Sequence, residues 1–131
     1  MDALPPATCV SQLLAQAERL GVAVRWQAQV GCRPEAAYQA PPGQPGLLLI
    51  GAGQPAPINT ELCRLLSHEL VHVLQHWRGQ LQAITPLGWP IGGAPAGRQL
   101  SLHEAEAYTA EHNPQAVLEA LRQLKPARPQ P

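Results

Sequence analysis

The stretch "TELCRLLSHELVHVLQHWRG", residues 60–79, constrains this chain more than any other. Leu62, Leu65, Leu66, Leu70, Val73, Leu74 and Trp77 recur at helical spacing around most of its circumference. The segment therefore reads as a central, largely buried helix over 60–78, with Asn59 or Thr60 as its N-cap. Burying a glutamate between two histidines costs free energy unless each finds a partner, and a metal ion partners all of them at once.

His68-Glu69-Leu70-Val71-His72 has the form HExxH. Residues four apart lie on one helix face, one turn above each other, so His68 and His72 can aim two imidazoles at one zinc ion. Glu69 lies about 100° round the helix, beside the metal rather than on it. From there it can take a proton from an activated water and pass it to a leaving amine. The competing explanation is an amphipathic helix whose histidines and glutamate are merely solvated.

A hydrolytic zinc needs a third protein ligand and an open position for water. His76 stands two turns from His68, about 12 Å by helix rise, too far to share the ion. The pattern HExxHxxGxxH is excluded, because Gln75 and Arg78 occupy the positions of its glycine and third histidine. The remaining source is "SLHEAEAYTAEHNP" on the next helix, which offers His103, Glu104, Glu106, Glu111 and His112. Ser101-Leu102-His103-Glu104 also fits a capping box, and a Glu104 committed to the cap would leave Glu106 or Glu111 as the ligand. Glu104 and Glu111 share a helix face while Glu106 points elsewhere, so Glu104 can ligate with Glu111 behind it.

"SHELVHVLQH" paired with the later "HEAEAYTAE" resembles small zincin-fold metallopeptidases of the gluzincin type. The resemblance covers roughly residues 45–112 and is more specific at HExxH than at the second element. In that family a second helix brings a glutamate ligand in a Glu-x-x-Ala or Glu-x-x-Ser context, often followed by Asp. Glu104-Ala105-Glu106-Ala107 matches, which implies Glu104 as third ligand and Ala107 as a close helix contact. Tyr108 stands where the family usually has the Asp that orients a ligand histidine, so Glu111 or a backbone carbonyl would have to substitute. The resemblance further implies that the strand before the HExxH helix, Leu47, Leu48, Leu49 and Ile50, forms the cleft edge on which an extended peptide pairs, the alternative being an ordinary interior strand.

The rest of the chain reads as an α+β frame for that helix. Thr8 or Ser11 caps a first helix, "SQLLAQAERLG", stopped by Gly21. "VAVRWQAQV" (22–30) alternates like a half-buried strand, a short strand fits near Ala36–Gln39, and "LLLIGAG" (47–53) reads as another. Residues 85–99 are rich in Gly and Pro and form a long loop, a candidate mobile lid. Helices follow over about 101–111 and from Asn113-Pro114 to about 124. The expectation is one zincin-like domain over 1–125, a small antiparallel or mixed sheet packed on helices, with a disordered Pro-rich tail over 126–131.

Composition excludes other classes. Lys+Arg and Asp+Glu both number 9, so no positive field favours nucleic acid or anionic membrane. Trp26, Trp77 and Trp89 are too dispersed for a base-stacking platform. The only Asp is Asp2, which leaves a Ser/His/Asp triad poorly supported, and neither Cys32 nor Cys63 has a nucleophile's setting. Cysteines 9, 32 and 63 are odd in number and widely spaced, suggesting no disulfide framework, with Cys63 a small core residue. With no signal-like N-terminus and no long apolar run, a cytoplasmic protein is the expectation.

The sequence therefore points to a zinc metallopeptidase. One Zn2+ is held by His68, His72 and Glu104, Glu69 is the general base, and Tyr108 or His112 is a candidate transition-state stabiliser. Its partner is a peptide or protein substrate, and its oligomeric state is not legible. The alternatives are a non-catalytic zinc-binding or interaction module derived from the same fold, and a regulatory protease with one protein partner.

Overall fold

The computed structural model describes residues 4–53, 58–95 and 97–127. Most of the expected Pro-rich tail, residues 128–131, lies outside them. Helix α1 spans Pro6–Leu20 and buries Cys9, Val10, Leu13, Ala17 and Leu20 along one stripe. It begins earlier than Thr8 or Ser11 would dictate, with no side-chain cap and a proline in its first turn. Proline's fixed φ suits that position, where its missing N–H is no loss. Gly21, at φ 89°, ends the helix in the left-handed conformation as expected.

Strands β1 (Ala23–Gln27), β2 (Glu35–Gln39) and β3 (Leu47–Gly51) form a mixed sheet in the order β1-β3-β2. β1 runs parallel to β3, with Val24 opposite Leu48 and Trp26 opposite Ile50. β2 runs antiparallel to β3, with Tyr38 opposite Leu48 and Ala36 opposite Ile50. Leu48 and Ile50, alternate residues of β3, are fully buried and mark the face turned to the helices. β3 is thus the central strand, paired on both sides. The expected edge role of Leu47, Leu48, Leu49 and Ile50 is corrected on that ground, since a strand flanked by two others has no free main chain to offer.

Helix α2 (Thr60–Arg78) starts at Asn59, whose side chain accepts from Leu62 N at 2.9 Å. It packs against α1, β2, α3 (Leu102–Ala110) and α4 (Pro114–Arg122), and so forms the axis of the molecule. At its end a Cβ on Gly79 would come within 1.9 Å of the Ala83 carbonyl oxygen, so only glycine permits the tight return into the following loop. Asn113 caps α4 by accepting from Ala116 N, with Pro114 first in the helix. Arg19 of α1 donates to the Leu121 and Leu124 carbonyls at 2.8 and 3.0 Å, tying α1 to the end of α4. α1, β3, α2, α3 and α4 all send buried side chains into one core, with Val24 and Tyr38 packed against it.

Cys9 and Cys63 form a disulfide between the buried faces of α1 and α2, their Cα atoms 5.7 Å apart. Cys63 is a core residue on a helix as expected, but the bridge overturns the expectation that the spaced cysteines form no disulfide. The two cysteines are 54 positions apart in sequence, and only the packing of α1 on α2 brings them together. Such bridges are rare in the reducing cytoplasm that was the expected compartment. No described helix is long and apolar enough to cross a membrane. Cys9→Ser is expected to lower unfolding stability by about 2–4 kcal/mol in a denaturant melt under non-reducing conditions. Cys32→Ser, at an exposed free thiol, is expected to leave the midpoint where it was.

Candidate metal centre

One turn of α2 separates His68 from His72, and both imidazoles face the first turn of α3, where Glu104 stands. His72 Nε2 lies 2.5 Å from Glu104 Oε1, and His68 Nε2 lies 3.6 Å from Glu104 Oε2. One ligand atom from each of these three residues falls within 4.8 Å of the others, a group that can hold a metal ion.

The outer nitrogen of each ring fixes what the inner one can do. His68 Nδ1 lies 3.0 Å from Glu111 Oε1, and an ionised carboxylate only accepts, so Nδ1 carries the proton. His72 Nδ1 lies 2.7 Å from Gln75 Oε1, while Gln75 Nε2 donates to the His103 carbonyl and to Glu106. His72 Nδ1 is therefore also the donor. When both rings are neutral, two Nε2 lone pairs and a carboxylate converge, three acceptors with no donor between them, and a cation resolves that conflict. Burial pushes the His72 imidazole down, against its bond to Gln75 and the charge of Glu104, so the neutral ring is favoured there. Burial acts the same way on His68, but its bond to Glu111 and the charges of Glu69, Glu104 and Glu111 outweigh it and raise that ring. Arg64 Nε is paired to Glu111 Oε2 at 3.0 Å, whereas Glu69 and Glu104 have no Lys or Arg partner among the described residues, so the group carries more negative than positive charge when all three carboxylates are ionised. The donor set and the excess of negative charge both fit a divalent cation.

The rival ligands are separated by geometry. Glu104 serves the cap with its main chain and the histidines with its side chain. Its N–H donates to Ser101 Oγ at 3.4 Å, and its carboxylate does not return to close a capping box. Glu111 stands behind His68, in the place left open by Tyr108, whose ring instead packs edge-on against His68 at 4.6 Å. The Tyr108 hydroxyl accepts from Arg98 at 3.3 Å. Glu106 points away from the group. It is fully buried and accepts from Leu87, Gly88 and Trp89 N–H at 2.8, 2.7 and 2.9 Å, and from Gln75 at 3.0 Å. Burial pushes its carboxyl up, but those four donors outweigh burial and hold it below the usual carboxylate range.

Glu69 lies beside the group rather than in it. Its Oε1 accepts from Tyr38 N–H of β2 at 2.9 Å, and its Oε2 lies 3.9 Å from His68 Nε2. Burial pushes its carboxyl up to about 7, with attraction to His68 and the Tyr38 N–H pulling the other way. His112 is exposed beyond the end of α3 and lines a different cavity, of about 780 Å3, with Pro5, Thr60, Arg64 and Pro114. It lies past the end of α3 and makes no hydrogen bond or ion pair with His68, His72 or Glu104 among the described residues. His76 is buried against the β2–β3 connection, with Nε2 donating to the Gln44 carbonyl at 2.7 Å. The loop expected as a mobile lid is fastened at its root by Glu106 and again where Gly93 N–H donates to Thr109 Oγ1 at 3.1 Å.

Sequence reading missed the structural parts of Gln75 and Glu106. A polar residue three positions after a ligand histidine, on an otherwise apolar helix, was the available signal for Gln75. His103, weighed only as a ligand, instead sets its ring 5.9 Å from that of His72 and its carbonyl on Gln75. Comparisons of the chain with protein-family models, with curated proteins and with solved structures return no significant match.

Competition with a chromophoric chelator is expected to separate ligand from support. Glu104→Gln should abolish stoichiometric metal uptake, whereas Glu111→Gln should weaken it by about 10–100-fold. Equal, small effects of the two would sink the assignment of Glu104.

Proposed function

We propose that this chain is a zinc-dependent metallopeptidase domain of the gluzincin type, with a zincin-like fold. The observation that carries the reading is the convergence of His68 Nε2, His72 Nε2 and the Glu104 carboxylate on one point. Two neutral imidazoles and one carboxylate from two facing helices suit zinc and leave room for water or substrate. When bound, zinc supplies Lewis-acid polarisation of the scissile carbonyl and lowers the pKa of water toward neutrality.

The chain's own residues divide the remaining work. Glu69, held through Oε1 by the Tyr38 N–H, turns Oε2 toward the His68 side of the centre. There it takes the proton of the attacking water and delivers it to the leaving nitrogen. Glu111 and Gln75 keep the two rings with Nε2 inward. The edge nearest Glu69 is β2, and an extended peptide pairing along that strand would bring its carbonyl past the general base. Tyr108 packs edge-on against the His68 ring.

Protein purified without chelator is expected to carry one zinc per chain. Glu69→Gln should keep that zinc and lose cleavage of a quenched peptide library by about 10²–10⁴-fold. Full zinc with no cleavage by the parent would instead favour a non-catalytic zinc module, and well under one zinc per chain would end the metallopeptidase reading.

A further inference from the structure

The Leu87–Trp89 segment is distant from the metal group in sequence, but in space a continuous hydrogen-bonded path joins them. Three successive N–H groups, of Leu87, Gly88 and Trp89, converge on the Glu106 carboxylate. Glu106 Oε1 also accepts from Gln75 Nε2, and Gln75 Oε1 accepts from His72 Nδ1. Glu106 and Gln75 are both fully buried. No Lys, Arg or His side chain pairs with Glu106 among the described residues, so main-chain and amide N–H groups are what stabilise this buried anion. A carboxylate offers about four lone-pair sites, and these four donors occupy them.

We propose that Gln75 and Glu106 are positioning residues that couple docking of the Leu87–Trp89 segment to the orientation and tautomer of the His72 ring. The inference rests on the zinc reading above and goes beyond it by making metal binding and loop order one linked equilibrium.

The coupling follows from what an amide can do. Gln75 faces two groups that only accept, the His103 carbonyl and the Glu106 carboxylate, so its NH2 must point at them and its oxygen at His72. A flipped amide would set oxygen against both acceptors and leave His72 Nδ1 facing a donor. The ring would then have to carry its proton on Nε2, the nitrogen that faces Glu104, and could not ligate through it. Glu106 thus acts on the metal group through Gln75, without touching it. In the other direction, undocking residues 87–89 strips three donors from a buried carboxylate, which weakens its hold on Gln75. Whatever fixes His72 therefore favours the docked loop, and linkage makes the effect reciprocal.

Hydrogen exchange on the parent protein, with zinc and after chelation, tests this without relying on catalysis. The Leu87, Gly88 and Trp89 amides are expected to exchange about fivefold or more slowly with zinc, the lower end of ordinary coupling. Identical exchange in both states, with zinc stoichiometrically bound, overturns the coupling and leaves the zinc reading intact. Failure of the parent to bind zinc overturns both. Chelator competition adds a second readout. Glu106→Gln and Gln75→Met should each weaken zinc by about 10-fold or more, and the double variant should be no weaker than Gln75→Met alone, because one acts through the other. Thr109→Val, which frees the Gly93 anchor but has no path to His72, should stay within about twofold of the parent. Simple additivity, or an equal loss in Thr109→Val, would reveal general loosening and overturn the proposal.

Discussion

Everything in this molecule is arranged around a polar stripe on a buried helix. Ser67, His68, His72, Gln75 and His76 all lie on α2 and are all buried, as is Glu106 on the helix beside it. An unpaired buried polar group costs about 1–3 kcal/mol, and burying a leucine contributes about 1.5–3 kcal/mol. Left unpaired, the stripe would cancel most of what Leu62, Leu66, Leu70, Val71, Val73 and Leu74 supply on the same helix. The fold therefore has to bring a partner to nearly every member.

Each partner comes from a different part of the chain, and that is how one helix organises the rest. Ser67 bonds back to the Cys63 carbonyl within α2, His68 takes Glu111 from the end of α3, and His76 takes the Gln44 carbonyl from the β2–β3 connection. Gln75 takes His72 on one side and α3 on the other, and Glu106 carries the path on into the Gly/Pro loop. Among the described residues, His76 Nδ1 is the one buried side-chain polar atom with no partner. The His68, His72 and Glu104 atoms are satisfied differently, as three acceptors turned on a common point. Such a cluster makes physical sense around a cation and is a liability without one.

Local pattern was legible where neighbours in sequence decide the outcome. The helical period of 60–78, the Asn59 and Asn113 caps and the Gly21 stop are contests between adjacent groups, and they stand much as read. The His68/His72 spacing is likewise a property of one helix. The start of α1 was misread because Pro6 outranks Thr8 through backbone geometry rather than through a side-chain bond. β1 is shorter than its alternation suggested, ending at Gln27, since Ala28 and Val30 have no partner on β3 beyond Gly51.

Sequence by itself determined that two histidines and a glutamate in HExxH spacing would ride on a largely apolar helix, with a second acidic helix to follow. Tertiary structure alone decided which glutamate meets the histidines. Glu104, Glu106 and Glu111 are chemically identical, and only the docking of α3 on α2 turns the first to the rings, the second to the loop and the third to the back of His68. It also decided that Cys9 meets Cys63, and that β3 lies between β1 and β2 with its backbone already bonded. Those outcomes depend on pairings between distant segments, whose energies arise only when the surfaces meet and leave no periodic trace in the chain.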